Sequence, residues 1–292
     1  MIALIKGESE AGRLMQARLD MNRAWADAKA MLAANMQVLL VVAGVFFFLP
    51  NAIAAVFMPS FGEVLVQIEA LGPTPNPDDV LALFSEFMGR TWWIYLLLAL
   101  LQAIGMLGLL ALLSDSNRPT VGQALAFGVM AVVPYVVGQL IVGLAQSGAV
   151  FLPIALGASV SAGLGLLLGL VGVVAAVYLW VKCSLLAPVM AIERKLNPFA
   201  ALARSWRLTK GNSLVLFAFY ALIIVAVMVI GLVAQLVVSV SSLLGPSALM
   251  LAAAIVGSFV TLGYNVVKLG VLAAVHRQLS GNPGKDIGKT FD

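Results

Sequence analysis

The chain has 292 residues, of which 62% are hydrophobic and only 10% are charged, and its mean hydropathy is +1.06. This composition excludes a water-soluble globular protein and is that of an integral membrane protein. The formal net charge of +4 does not require a nucleic-acid partner, because cations on the cytoplasmic side of a membrane protein are attracted to anionic phospholipid headgroups.

The chain begins with charged residues throughout its first thirty-four positions, with neither a short apolar core nor a small-residue cleavage site. We therefore expect no removable signal peptide. Residues 1–36 are predicted to form a cytoplasmic amphipathic segment, in which the stretch Ala11–Ala34 is helical. Residues 37–275 follow as a membrane domain, and residues 276–292 as a cytoplasmic tail.

Six later stretches are long and apolar enough to cross a bilayer, which requires about 20 residues in a helix. The sequence thus predicts an all-α polytopic membrane protein with six transmembrane helices. The predicted spans are Gln37–Val56, Trp92–Leu113, Ala124–Ala145, Ser159–Val189, Leu214–Val240 and Leu249–Ala274.

Residues 58–91, between the first two spans, are too long for a turn and carry their own helix signals. Ser60 and Glu63 have the spacing of a capping box, and Asn76-Pro77 can begin a second helix whose first turn holds Asp78 and Asp79. We expect two interfacial helices here that cover one end of the helix bundle. An acidic surface that docks a partner is the alternative.

Charge asymmetry sets the orientation. The side of the membrane that holds both termini has fourteen Lys and Arg, whereas the opposite side has only Arg90. The positive-inside rule then places both termini in the cytoplasm and residues 58–91 outside. The fourteen cations are Lys6, Arg13, Arg18, Arg23, Lys29, Arg118, Arg194, Lys195, Arg204, Arg207, Lys210, Arg277, Lys285 and Lys289.

An Asn that closely precedes a Pro recurs after each even-numbered span, at intervals of about eighty residues, which predicts three two-span units. Aligning these units places Gln102, Lys182 and Lys268 at nearly the same height in the membrane. With Asn265 they form a candidate intramembrane polar site. A structural role is the alternative: Lys268 can reach the interface along its aliphatic stem, and Lys182 can bond backbone carbonyls freed by Pro188, or lipid phosphate.

Small residues recur on one face of the fourth span and predict close helix packing, either within the chain or between copies in a homo-oligomer. These residues are Gly165, Gly169, Gly172 and Ala176. The span is followed by a predicted interfacial helix over residues 197–211, which Asn197 caps and Gly211 ends. Its Trp206 is expected at the interface, with Arg204, Arg207 and Lys210 facing anionic headgroups.

The stretch from Val181 through Pro188 and Glu193 to Gly211 contains an ALxxSWxLTxG-like helix, and it resembles the bacterial glycerophosphoryl diester phosphodiesterase membrane-domain family. The segment from Ala274 to Ser280 resembles the end of that domain. The resemblance implies a multi-span inner-membrane domain that is sometimes fused to a phosphodiesterase. Lys182 stands where family members commonly have arginine.

The family name does not imply an activity for this chain. It has one histidine, His276, and one cysteine, Cys183, and we predict no catalytic residues, no metal site and no cofactor. Two functions remain open. One is a non-enzymatic scaffold, accessory or stabilising subunit of a membrane complex. The other is a transporter or lipid-handling protein for an anionic solute or headgroup, which would use Lys182 and Lys268.

Overall fold

A computed structural model of the chain describes residues 18–58, 61–113 and 119–281. These residues are almost entirely helical and include no strand. Six helices within them are long and apolar enough to cross a membrane. The prediction of an all-α polytopic fold is therefore confirmed.

The chain enters its first span through a capped surface helix. Helix α1 (Met21–Ala34) begins at Asp20, whose carboxylate accepts hydrogen bonds from the backbone N–H groups of Asn22 and Arg23. After it come α2 (Met36–Ala43), a π-helical turn (Gly44–Phe48) and α3 (Leu49–Phe57). The π-helical turn ends two residues before Pro50, which has no N–H to donate, so the helix changes type locally near this proline.

The loop on the predicted outer side contains one separate helix instead of the two that we expected. Helix α4 (Phe61–Ala70) is followed by α5 (Pro77–Leu112), which runs unbroken through the predicted second interfacial helix and the second span. The sequence correctly predicts the start of α5, where the Asn76 side chain accepts a hydrogen bond from the N–H of Asp78. No proline follows Pro77 within this helix, so nothing separates the two parts. The predicted cap Ser60 lies outside the described residues.

The third and fourth spans form a tightly packed hairpin of α6 (Val121–Ala158) and α7 (Ala162–Cys183). A Cβ added at Gly157 would lie 2.7 Å from the backbone of Gly165, and one added at Gly172 would overlap the carbonyl of Ala149. Gly169 lies against Ile154 in the same way. The glycine face predicted in the fourth span is thus placed against the preceding helix of the same chain.

The fourth span is interrupted close to Pro188, the residue that the sequence predicts to free backbone carbonyls. Helix α7 ends at Cys183, and α8 (Leu186–Ile192) resumes after a turn. The break follows from Pro188, because its ring clashes with the carbonyl of the residue four positions earlier, Ser184. Helix α9 (Pro198–Leu208) then begins at Asn197, whose side chain caps it, and Gly211 ends the segment with a φ of 81°.

The last two spans are α10 (Ser213–Val240) and α11 (Pro246–Leu279), separated by a 3₁₀ turn (Ser241–Leu244). Helix α11 continues four residues past the predicted boundary at residue 275. The start of the predicted cytoplasmic tail therefore belongs to the helix, and residues 282–292 lie outside the described part of the chain.

The chain divides into two compact units. Unit 1 comprises Met1–Met36, Met106–Ile224 and Val267–Asp292, and unit 2 comprises Gln37–Gly105 and Val225–Val266. The boundaries fall inside α5, α10 and α11 and not between the three predicted repeats, so the threefold repeat stays a prediction. Fully buried apolar side chains of unit 1 include Leu107, Leu110, Leu185, Leu186, Val189, Met190, Leu216 and Leu269. In unit 2, Leu39 and Phe47 are buried, and the rings of Phe48 and Phe259 lie 4.6 Å apart.

We predict that Gly172→Ala destabilises the hairpin of α6 and α7. The new methyl group would overlap the Ala149 carbonyl, which belongs to the backbone and cannot rotate away. The expected cost is about 1–3 kcal/mol, typical of overpacking. Circular dichroism in detergent measures the midpoint of denaturant or thermal unfolding.

Gly143→Ala is the matched control, because a Cβ at this position in α6 meets no atom within 4 Å. It should unfold at or above the wild-type midpoint, since alanine favours a helix more than glycine does. Equal midpoints for the two variants would contradict the packing argument.

Candidate functional site

Glu193 is the residue around which unit 1 gathers its polar side chains. It is the sole Asp or Glu between Asp115 and Asp286, a stretch that holds four of the six spans. Its backbone terminates α8, and its N–H bonds to the carbonyl of Val189. A carboxylate in this position is available to cations from several elements.

Three cationic or potentially cationic side chains contact the Glu193 carboxylate. Lys195 Nζ lies 2.6 Å from Oε2, and Arg204 Nε lies 3.0 Å from Oε1 and 3.2 Å from Oε2. His276 Nε2 is 3.0 Å from Oε1. The partners come from the loop after α8, from α9 and from α11. Both carboxylate oxygens are therefore engaged, and one acidic residue joins three parts of the chain.

The environment of Glu193 keeps the carboxylate ionised. Burial by itself would raise the pKa of this carboxyl, but hydrogen bonds from Lys195, Arg204 and His276, with the positive charge of Arg204, outweigh burial and hold the pKa below its ordinary value. The side chain is 15% exposed, and that of His276 is 5% exposed. Glu193 is consequently a poor proton donor near neutral pH.

The residue after Glu193 has an unusual backbone conformation. Arg194 has a φ of 56°, and it is the only non-glycine residue with positive φ in the described chain. Its guanidinium carbon lies 3.9 Å from the centre of the Phe127 ring on α6. The left-handed backbone is costly for arginine, and stacking on Phe127 offsets part of that cost.

Helix α9 is attached to the broken end of α7 by its own hydroxyl groups. Ser205 Oγ donates to the Lys182 carbonyl at 2.7 Å, and Thr209 Oγ1 lies 3.4 Å from the same oxygen. Both hydroxyl residues are fully buried. Since the helix ends just after Lys182, this carbonyl has no partner four residues ahead, and α9 supplies the missing donors.

The ammonium of Lys182 lies beside α9 and not near the middle of a continuous helix. Its Nζ is 5.4 Å from the ring centre of Tyr178 and 5.4 Å from that of Trp206. The two rings meet edge to face at 5.9 Å. The residue is 3% exposed. Because α7 ends at Cys183 and α9 packs against it, Lys182 lies at the end of a helix and next to α9.

The start of the described chain is bound to the same region. The backbone N–H of Leu19 donates to Asn212 Oδ1 at 2.9 Å, and Asp27 forms an ion pair with Arg277 at 3.0 Å. Helix α1 also approaches α11 closely, because a Cβ at Gly270 would lie 2.8 Å from the Leu32 side chain. The segment of residues 193–212 thus contacts Leu19, just before α1, and the helices α6, α7 and α11.

The four residues of the predicted intramembrane polar site do not all belong to one unit. Lys182 and Lys268 lie in unit 1, whereas Gln102 and Asn265 lie in unit 2. The Asn265 amide donates to the Thr261 carbonyl of its own helix at 2.9 Å, so its polarity is satisfied locally. Lys268 is partly buried.

The predicted headgroup contacts have different environments. Arg204 Nε forms an ion pair with Glu193, and a lipid contact of this side chain stays a prediction. Arg207 and Lys210 are exposed and form no ion pair with any described residue. Trp206 is 40% exposed.

The predicted packing face of α7 lies against α6. Gly165, Gly169 and Gly172 are buried, and the carbonyl of Ala176 accepts a hydrogen bond from Gln146 Nε2 of α6 at 3.2 Å.

Glu193, His276 and Arg194 are absent from the predicted site residues, although they are central in the structure. The sequence does contain a signal for Glu193, which is its isolation among many cations. The sequence contains no signal that His276, which lies 83 residues away, is the partner of Glu193. Within the described residues, no group of three or more His, Cys, Asp or Glu side chains could hold a metal ion.

Comparison of the chain with family models, with curated proteins and with solved structures gave no match. The resemblance to the glycerophosphoryl diester phosphodiesterase membrane-domain family stays a prediction.

We predict that Glu193→Gln lowers the free energy of unfolding by about 1–3 kcal/mol, the range for hydrogen bonds to charged groups. The amide keeps the shape of the carboxylate but removes the charge shared by Lys195, Arg204 and His276. The matched control is Glu86→Gln. This residue forms an exposed pair with Arg90 one helical turn away, with side chains 59% and 73% exposed, and such pairs contribute less than about 0.5 kcal/mol. Denaturant unfolding in detergent gives the free energy of unfolding of wild type and both variants.

The pH dependence gives a second readout of the same substitution. Because the folded-state pKa of Glu193 is lowered, its stabilising contribution is present above the pKa of the unfolded chain and is lost as pH falls through the folded value. The difference between wild type and Glu193→Gln should therefore shrink as pH falls below about 4. A difference that stays constant down to pH 2 would show that the charge is not what stabilises the fold.

Proposed function

We propose that this protein is a non-enzymatic, multi-pass protein of the bacterial inner membrane, which acts as a scaffold or accessory subunit of a membrane complex. The observation that carries the proposal is the environment of Glu193. Both of its oxygens are bound by internal partners from three elements, and its lowered pKa keeps it charged. Such a carboxylate is suited to joining helix ends and not to exchanging protons or binding a metal ion.

The fifth span offers the surface for such a complex. Only 6% of its most apolar 18-residue window is buried within the chain, compared with 44% for the second span and 39% for the third. Leu232, Leu236 and Val240 are each more than 60% exposed. A helix with so little cover is free to pack against another membrane protein or against lipid.

The proposal includes the family resemblance, because the residues that carry it coincide with the Glu193 region. The resembling stretch from Val181 to Gly211 contains Glu193, two of its partners, and the Ser205 that bonds to the Lys182 carbonyl. These positions support a structural reason for the motif. A role in transport is the second candidate, in which Lys182 and Lys268 would contact an anionic solute or headgroup.

A photo-crosslinking experiment in native membranes tests the scaffold proposal. A photoreactive amino acid at Leu236, which is 68% exposed, should form an adduct with one defined membrane protein. The same probe at Leu216, which is fully buried, should form none and serves as the matched control. Reconstituted vesicles should show no solute flux. Flux that is lost in Lys182→Met and Lys268→Met would instead establish a transporter.

The orientation within the proposal has its own test. In a Cys183→Ser background, Glu69→Cys should react with a membrane-impermeant maleimide in intact spheroplasts, because the acidic loop is expected outside. Lys210→Cys should react only after the membrane is permeabilised. The opposite labelling pattern would invert the proposed topology.

A further inference from the structure

We infer that Lys182, Tyr178 and Trp206 form a binding site for the phosphate group of an anionic membrane phospholipid. The geometry that points to this site is a lysine buried to 97% whose ammonium lies 5.4 Å from the ring centres of both aromatic residues. The inference goes beyond the scaffold proposal and does not depend on it.

The Lys182 ammonium has no hydrogen-bond acceptor among the described residues. The ammonium contacts the rings of Tyr178 and Trp206, and the Lys182 side chain makes no other polar interaction within the described part of the chain. Separately, the backbone carbonyl of Lys182 accepts hydrogen bonds from Ser205 and Thr209. The ammonium is also not sealed inside the protein. An ammonium held against aromatic rings in an apolar region gains cation–π energy, but its charge still requires an anion.

No acidic side chain of the described part of unit 1 is available to supply that anion. Glu193 is shared by three partners, Asp27 is paired with Arg277, and Asp20 caps α1. The counter-charge for Lys182 must therefore come from outside these residues. A lipid phosphate is the anion that a membrane supplies at the boundary between headgroups and acyl chains.

The two aromatic residues provide further donors beside the ammonium. The Tyr178 hydroxyl and the Trp206 indole N–H donate no hydrogen bond to a described residue, and the residues are 48% and 40% exposed. Three side chains with donors that bond to no described residue thus lie within 5.9 Å of one another. This arrangement suits a group with several acceptor oxygens, as a phosphate has.

The position of α9 explains why the ligand would be a lipid. Phe199 is 68% exposed, Arg207 is exposed on the same short helix, and Lys210 is exposed just after its end. An amphipathic helix with exposed aromatic and basic side chains lies in the headgroup plane. Because the Lys182 carbonyl is bonded to Ser205 of α9, the ammonium is held close to that plane.

Native mass spectrometry of the full chain, titrated with phosphatidylglycerol in 0.5 M salt, tests the inference. We expect wild type to retain one lipid and Lys182→Met to bind it at least tenfold more weakly. Lys182→Arg keeps the charge and should remain within a few-fold of wild type. Arg23→Met, on α1, is the matched control. It removes an exposed cation whose attraction is screened at this salt concentration, so it should change binding less than about twofold.

Tyr178→Phe provides a second test of the binding site, which can be used if Lys182→Met does not fold. It preserves the aromatic ring but removes one donor, and a several-fold loss of retained phosphatidylglycerol is expected. Circular dichroism and size-exclusion chromatography establish that each variant is folded. Unchanged retention in folded Lys182→Met, or in Tyr178→Phe where only that variant folds, would overturn the site.

Two further ligands distinguish the source of the phosphate. Phosphatidylcholine, which is zwitterionic, should be retained at least tenfold more weakly than phosphatidylglycerol. Inorganic phosphate at millimolar concentration should not displace the bound lipid. Equal retention of both lipids would overturn the assignment to an anionic headgroup, and displacement by inorganic phosphate would overturn the assignment to a lipid.

Discussion

The interaction on which the rest of unit 1 depends is the sharing of one carboxylate by three side chains. A carboxylate in a partly buried position is stable only if its oxygens receive hydrogen bonds or opposite charges. Glu193 receives both from Lys195, Arg204 and His276. Each partner belongs to a different element, so satisfying this single charge fixes the loop after α8, the surface helix α9 and the end of α11. The ring contact of Arg194 with Phe127 adds α6.

Around that charge, the broken fourth span and α9 depend on each other. Pro188 prevents one continuous helix, and the break leaves the Lys182 carbonyl without its helical partner. Ser205 and Thr209 fill that position from α9. The surface helix is therefore part of the folded interior on one side, through Ala201, Ser205 and Leu208, while Phe199 and Trp206 remain accessible on the other. A helix with these two faces can connect a protein interior to a membrane surface.

Sequence reasoning predicts those features whose causes lie close together in the chain. The six spans follow from apolar length, the start of α9 follows from Asn197-Pro198, and its end follows from Gly211. Sequence reasoning fails where a feature depends on a distant residue, or on the absence of a helix-breaking residue. The sequence predicts two helices where α5 is continuous, because the acidic first turn of α5 is typical of the start of a separate surface helix. The pairing of Glu193 with His276 requires knowledge of how α11 packs, which no local pattern contains.

The distance along the chain between Glu193 and its partners implies an order of assembly during synthesis. Lys195 and Arg204 lie within eleven residues of Glu193, so they can pair with it soon after this segment leaves the ribosome. His276 follows 83 residues after Glu193, and one complete span and most of the next separate them. Arg277, which holds α1 through Asp27, is made one residue later. The polar junction of unit 1 can therefore close only after His276 and Arg277 have been synthesised. A nascent chain that stops before this point lacks both the third partner of its central carboxylate and the ion pair that secures its first helix.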